Sequence, residues 1–300
     1  MTIILLLSGL LVLSVAAALV MLRRTGARAE RESLLRLPVG EDGVIAGAQE
    51  IEMPRTAPGS PAVLLLHGGL CTNETWAQQR ADFAANHRIF LPERRAHGHT
   101  PDVEGPLSYH DMASDTIDFL TSVVGGRADL VGWSDGGIVA LLIAIERPDL
   151  VRKMAVSAAN FIPASEIGPA EALDELTADA PGLEMFRSMY EAASPDGPEH
   201  WPIVVGKMVD MIRTEPDIPM EDLGRIGAPT LVLVGDDDIV PLEHTVELYR
   251  AIPNSELAVV PGTSHAHFME KPSLVNRLVL EFLDNDPVPT MMPVRRATAP

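Results

Sequence analysis

From residue 62 onward the chain sets down short, almost unbroken aliphatic runs, each closed by glycine, proline or a polar turn. The runs "AVLLLHG" (62–68), "HRIFLPE" (87–93), "ADLVGWS" (128–134), "RKMAVSAA" (152–159), "PTLVLVG" (229–235) and "ELAVVPG" (256–262) have strand length and little alternation. That pattern predicts strands buried on both faces. Between them "YHDMASDTIDFLTSVV" (109–124), "GGIVALLIAIERP" (136–148) and "PSLVNRLVLEFL" (272–283) carry helical spacing. Strands and helices in alternation predict an α/β fold: a mostly parallel central sheet flanked by helices. Ahead of this set "QEIEMPR" (49–55) alternates apolar with polar residues, which predicts an antiparallel edge strand.

Three segments break the rhythm. Residues 160–224 hold Pro163, Pro169, Pro181, Pro195, Pro198, Pro202, Pro216 and Pro219 among methionines and aromatics, with no buried-strand run. They predict an insertion of short helices forming a cap over the carboxyl ends of the strands, where open α/β sheets bind ligands. Residues 285–300, proline-rich and aperiodic, predict a disordered tail. At the other end, residues 2–22 contain no charge and no proline. As a helix they span roughly 31 Å, against roughly 30 Å of bilayer hydrocarbon, which predicts a transmembrane anchor. Arg23, Arg24, Arg28 and Arg31 follow the apolar run, so 23–36 reads as a charged juxtamembrane segment. By the positive-inside tendency it keeps the remainder of the chain in the cytoplasm. The alternatives are a signal peptide cut near "ARA" (27–29) with a secreted product, and a buried globular helix.

Composition narrows the partners. With 23 basic and 42 acidic residues among 300, the formal charge is −19, a surface that repels nucleic acid. It favours neutral or cationic small substrates. Apolar residues make up 46% of the chain, which can supply a sizeable core, in one large single-core domain or two small ones. The single cysteine, Cys71, has no partner for an intramolecular disulfide.

Against this background "DLVGWSDGGIVALL" (129–142) stands out, because it places a hydroxyl and a carboxyl between a predicted strand and a predicted helix. Gly132-x-Ser134-x-Gly136 at a strand–turn–helix junction is the pattern of a nucleophile elbow: small residues on either side let strand and helix close, and the serine is pushed out beyond the sheet. A serine needs a base, and the base an orienting acid, in the chain order Ser, Asp or Glu, His for this architecture. "GDDDIVP" (235–241) and "TSHAHFMEKP" (263–272), each after one of the last two predicted strands, supply candidates in that order.

These motifs together resemble the α/β-hydrolase superfamily over about residues 37–284. The common G-x-x-D-x-x-x-P pattern selects Asp238 over Asp236 and Asp237 by its G-x-x-D spacing from Gly235, although Pro241 comes one residue early; the other two then read as solvated turn residues. The common G-H with an acid five residues on, then x-P, selects His265 with Glu270 and Pro272 over its rival His267, although Ser264 replaces the glycine. The resemblance implies Ser134 as nucleophile, His265 as base and Asp238 as its orienting acid. It places the oxyanion between the N–H groups of Asp135 and of Gly69 in "HGGL", with Leu70 as second choice. "ERRAHGHT" (93–100) corresponds to D-x-R-G-H-G-x-S with Glu93, Ala96 and Thr100 substituted. His67, His97 and His99 then read as turn residues. Two H-x-H pairs also suit zinc, but each is already explained by a hydrolase motif, so neither a metal nor another cofactor is called for.

The carboxyl of Asp135 asks for its own account. "GWSDGG" with "AAN" (158–160) is similar to the valacyclovirase-like branch, which hydrolyses amino-acid esters, and implies a contact between Asp135 and a substrate ammonium group. The alternative is a first-turn carboxylate favoured by the helix dipole. The activity expected is cleavage of small carboxylic esters or related acyl substrates through an acyl-enzyme. The same triad also serves carbon–carbon bond hydrolysis, lactone opening or perhydrolysis, and a non-catalytic ligand-binding member of the fold is the remaining rival.

Overall fold

A computed structural model describes residues 31–36, 47–52, 59–169, 171–286 and 290–293. The expected transmembrane anchor over 2–22 lies outside the described residues, as does most of the 285–300 tail. No helix among the described residues is long and apolar enough to cross a membrane.

Eight strands form one sheet: β1 (Arg31–Arg36), β2 (Gly47–Glu52), β3 (Ala62–Leu66), β4 (Arg88–Glu93), β5 (Ala128–Trp133), β6 (Val151–Ser157), β7 (Thr230–Gly235) and β8 (Ser255–Val260). Their order is β1-β2-β4-β3-β5-β6-β7-β8. Strands β3 to β8 run parallel, while β2 pairs antiparallel with both β4 and β1. Two expectations are corrected here. Residues 31–36 belong to the sheet rather than to a juxtamembrane segment, and the strand expected over 49–55 is antiparallel but internal. The physical reason is the same for both: β2 offers a second row of unpaired backbone groups, and pairing Arg31 opposite Glu52 through Arg36 opposite Gly47 fills it.

The central strands are buried along their whole length, as their unbroken apolar runs require. Successive side chains point to opposite faces. Leu64, Leu66, Leu130, Met154 and Val232 therefore share one core with α2 (Tyr109–Phe119), α3 (Asp135–Glu146) and Leu248 of α6 (Leu242–Ala251). Val63, Leu65, Val131, Ala155 and Leu231 share the other with α1 (Arg80–Ala84) and with Val275, Val279 and Leu283 of α7 (Pro272–Asp284).

The insertion is helical, but not made only of short pieces. It contains α4 (Glu184–Ala193, ten residues) and α5 (Trp201–Thr214, fourteen residues). Pro202 did not prevent the longer helix because it sits in the first turn, where its missing N–H costs nothing. Asp102, on the loop after β4, fastens this cap to the body by accepting hydrogen bonds from His200 (2.8 Å) and from Lys207 of α5 (2.7 Å).

At the floor of the sheet, the buried ammonium of Lys153 donates to the carbonyls of Phe282 (2.9 Å) and Leu283 (3.2 Å), and to that of Asn285. It neutralises the negative end of α7 where no further turn can accept those groups. Lys153→Met is expected to lower unfolding stability by about 1–2 kcal/mol. Urea unfolding checks this; an unchanged midpoint would contradict the role given to Lys153.

Candidate active site

The chain crosses from one side of β3 to the other between β4 and β5, so the segments after β3 and β5 diverge to opposite faces. A crevice opens at the carboxyl ends of these two strands. The turn after β5 is very tight. A Cβ on Gly132 would lie 2.2 Å from the Gly136 carbonyl oxygen, and one on Gly136 would lie 2.0 Å from that of Leu66. Between them Ser134 is held at φ 54°, ψ −122°, a conformation that L-residues adopt only under constraint. Its N–H donates to Ser157 O (2.8 Å), and its own carbonyl accepts from Gly137 N–H (2.8 Å), the first bond of α3.

The loops after β7 and β8 bring the two other expected residues to this turn. His265 Nε2 lies 3.0 Å from Ser134 Oγ, and His265 Nδ1 lies 2.8 Å from Asp238 Oδ1. The same carboxylate oxygen accepts the Val240 N–H at 2.9 Å. Burial pushes the Asp238 carboxyl up, but the His265 hydrogen bond and charge and the Val240 N–H outweigh it and hold it below the usual carboxylate range. Asp236 and Asp237 are exposed. The rival base His267 is fully buried elsewhere, bonded to Ser157 Oγ and to Ser264 O, and burial pushes its pKa down to about 4.

The His265 loop is held from both sides. Trp133 Nε1 donates to His265 O (2.8 Å). Glu270 accepts from the Ser264 N–H (2.7 Å) and the Ser264 hydroxyl (2.9 Å). Ser264, the departure from the common glycine, thus adds a second bond to Glu270.

Across the crevice the turn 67–70 presents Gly69 to the pocket. The Leu70 N–H is already committed to His97 Nε2 (3.0 Å), which leaves the Gly69 N–H as the candidate donor of the two. His97 can accept because its Nδ1–H donates to Arg95 O (2.8 Å), and because burial, then Arg94, push its pKa down to about 3. His67 is likewise kept neutral by burial, with Nδ1 2.8 Å from Gly68 O. Glu93, in place of the common aspartate, accepts from Asn73 N–H (3.1 Å), His99 N–H (2.9 Å) and His99 Nδ1 (2.8 Å). The three turn histidines therefore support the loops around the crevice.

The pocket itself is apolar, walled by Cys71, Trp133, Ala266 and Met269 from the body and by Met185 and Phe186 from α4. Burial pushes the Cys71 thiol up to about 12, so it is protonated and serves as an apolar wall. Sequence reasoning did not single out these wall residues. The abundance of methionine and aromatics in the insertion was the available signal, but it does not say which of them point inward.

Asp135 is buried at the start of α3, and its N–H is not taken by a backbone carbonyl. Its carboxyl is not part of the pocket wall. It lies behind Gly69, where a Cβ on that glycine would come within 2.6 Å of Oδ2. Oδ2 has no hydrogen-bond partner among the described residues. Burial raises the carboxyl above its usual range against the opposing pull of Arg94, Tyr109 and His265.

Known proteins resemble this chain at the level of family. The model of the alpha/beta hydrolase family matches residues 63–278. Serine hydrolase BPHL from Homo sapiens is 27% identical over 253 residues, covering 80% of this chain and 85% of that protein. 2-Hydroxy-6-oxo-6-phenylhexa-2,4-dienoate hydrolase from Burkholderia cepacia is 27% identical over 259 residues, covering 75% and 88%. The crystal structure of the enol-lactonase from Burkholderia xenovorans LB400 superposes with a TM-score of 0.62 at 19% identity, covering 81% of this chain and 99% of that one. The chain belongs to the alpha/beta hydrolase family.

Proposed function

We propose that the protein is a serine hydrolase that cleaves small, neutral carboxylic esters or related acyl compounds through an acyl-enzyme. The observation that carries this reading is the continuous chain from Ser134 Oγ through His265 (3.0 Å) to Asp238 (2.8 Å) at the mouth of an apolar pocket. Ser134 Oγ attacks the acyl carbon as its proton passes to His265 Nε2, and buried Asp238 stabilises the imidazolium so formed. The carbonyl oxygen becomes an oxyanion between the N–H groups of Gly69 and Asp135, donors that gain strength where water is excluded. Collapse expels the alcohol, which takes the proton back from His265. Water then repeats the sequence on the acyl-enzyme, giving its proton to His265 and releasing the acid and Ser134.

The relatives include a hydrolase of a dienoate, an anionic compound by its printed name. The residues walling the pocket here contribute no cationic side chain to hold a substrate carboxylate, which favours neutral acyl groups. In a panel of matched esters with neutral, cationic and anionic acyl groups, kcat/KM is expected to favour the neutral ones over the anionic by at least about tenfold. Faster turnover of a dienoate or a lactone than of any ester would move the assignment to carbon–carbon or lactone chemistry. Failure of Ser134 to react with a fluorophosphonate would point to a non-catalytic protein.

A further inference from the structure

Arg94 is fully buried, an unusual setting for a guanidinium. It reaches under the turn that follows β3, donating from Nη1 to His67 O (2.6 Å) and from Nη2 to Gly68 O (3.3 Å). Gly68 O is also approached by His67 Nδ1 (2.8 Å) and by Cys71 N–H (3.4 Å). That carbonyl belongs to the same peptide unit as the Gly69 N–H. In a trans peptide the C=O and the following N–H point in opposite directions. Anchoring Gly68 O in the interior therefore directs the Gly69 N–H outward, to the pocket that Gly69 and Ser134 line together. Donors converging on the carbonyl also polarise the amide and strengthen its N–H as a donor.

The Asp135 carboxyl lies against the other residue of this peptide unit, Gly69. The body thus sets a buried guanidinium and a buried carboxyl on either side of the Gly68–Gly69 peptide. The two act on each other in opposition to burial: Asp135 raises the Arg94 pKa that burial lowers, and Arg94 lowers the Asp135 pKa that burial raises.

We infer that Arg94 is a positioning residue for the oxyanion turn, holding the Gly68–Gly69 peptide with its N–H toward the developing oxyanion, and that the Asp135 side chain is its internal counter-charge. This rests on the serine mechanism proposed above. It also gives the carboxyl beside Ser134 a task that requires no ammonium group on the substrate. Without Arg94, the Asp135 carboxyl loses the influence that most favours its ionised form, and whatever charge it keeps stands beside the oxyanion and opposes it.

The test compares wild type with Arg94→Met, Arg94→Lys, Asp135→Asn and the Arg94→Met/Asp135→Asn double variant. Each is read by circular dichroism, by kcat and KM on a neutral ester, and by affinity for a trifluoromethyl ketone. That ketone adds Ser134 Oγ to its carbonyl carbon, passes the Oγ proton to His265, and leaves the oxyanion in the turn. Arg94→Met is expected to lower kcat about 10- to 100-fold with KM little changed, and to weaken the ketone in parallel. Adding Asp135→Asn to Arg94→Met is expected to restore part of kcat, because the uncompensated charge is removed. An Arg94→Met variant with wild-type kcat and ketone affinity overturns the inference, as does a loss confined to KM. A double variant whose losses simply add overturns the counter-charge.

If Arg94→Met does not fold, Arg94→Lys decides. It keeps the charge but cannot fork across two carbonyls, so unchanged kcat and ketone affinity overturn the role. A cationic-ester preference abolished by Asp135→Asn would assign the carboxyl to substrate and overturn its part. Ser134→Ala, run alongside, separates the two readings. Turnover that survives it removes the serine mechanism, whereas turnover lost there but intact in Arg94→Met removes only the role of Arg94.

Discussion

Replacing Ser134 by alanine is expected to lower kcat by about 10⁴- to 10⁶-fold while leaving the fold intact. The size of the loss follows from what the remaining groups can do alone. With Oγ gone, His265 Nε2 faces no nucleophile, and the Gly69 and Asp135 N–H groups can stabilise only a tetrahedral species formed by slow attack of water. Stability should not fall, because Ser134 sits at φ 54° and its hydroxyl makes its bond to His265 rather than to the core. Ester hydrolysis by the purified variant, with labelling by a fluorophosphonate as a second reading, checks the prediction. Activity within tenfold of wild type would remove Ser134 from the mechanism.

Asp238→Asn carries the second large effect, a loss of about 10⁴-fold in kcat. An asparagine there can still accept the Val240 N–H, but it cannot offset the positive charge that His265 acquires when Ser134 attacks. Its amide can also turn a donor toward Nδ1 and reverse the imidazole tautomer. Because the folded-state pKa of Asp238 is depressed, its ionised form stabilises the fold above the ordinary carboxylate range, and that stability is lost as pH falls through the folded-state value. Wild type should therefore lose more stability in acid than Asp238→Asn does, and denaturant midpoints across that range measure it. Asp237→Asn, at an exposed neighbour, supplies the contrast: kcat within about twofold of wild type. A large loss there would mean that the wrong aspartate had been assigned.

How far the site could be read in advance depended on the range of the forces involved. The elbow was legible because its causes are local: Gly132 and Gly136 are needed where strand and helix backbones close to contact, and both lie within two residues of Ser134. Asp238 and His265 were legible because each ends up just past a strand whose unbroken apolar run marks it. Gly69 is preferred to Leu70 on family pattern, and the bond from Leu70 N–H to His97, which no local pattern signals, is consistent with that preference. Strand β1 was hidden, because "RESLLR" shows neither an apolar run nor clean alternation, and its place depends on an unpaired edge that β2 alone creates. In the insertion, the prolines suggested fragmentation, and only the position of Pro202 in a first turn allowed a helix of fourteen residues.

The sequence by itself determined the succession of the parallel strands with helices between them, the serine at the tight turn, and the acid and histidine that follow the last two strands. Those features rest on periodicity, on backbone clearance and on chain order, which are written within short windows. Only the tertiary structure decided what walls the pocket, which turn amide is left free, and that the Asp135 side chain is buried. Burial and electrostatics act between groups far apart in the chain: Cys71 and Met269 of the body and Met185 of the insertion line one pocket only in the folded protein, and the elements that carry Arg94 and Asp135 come together only after β3, β4 and β5 have packed side by side.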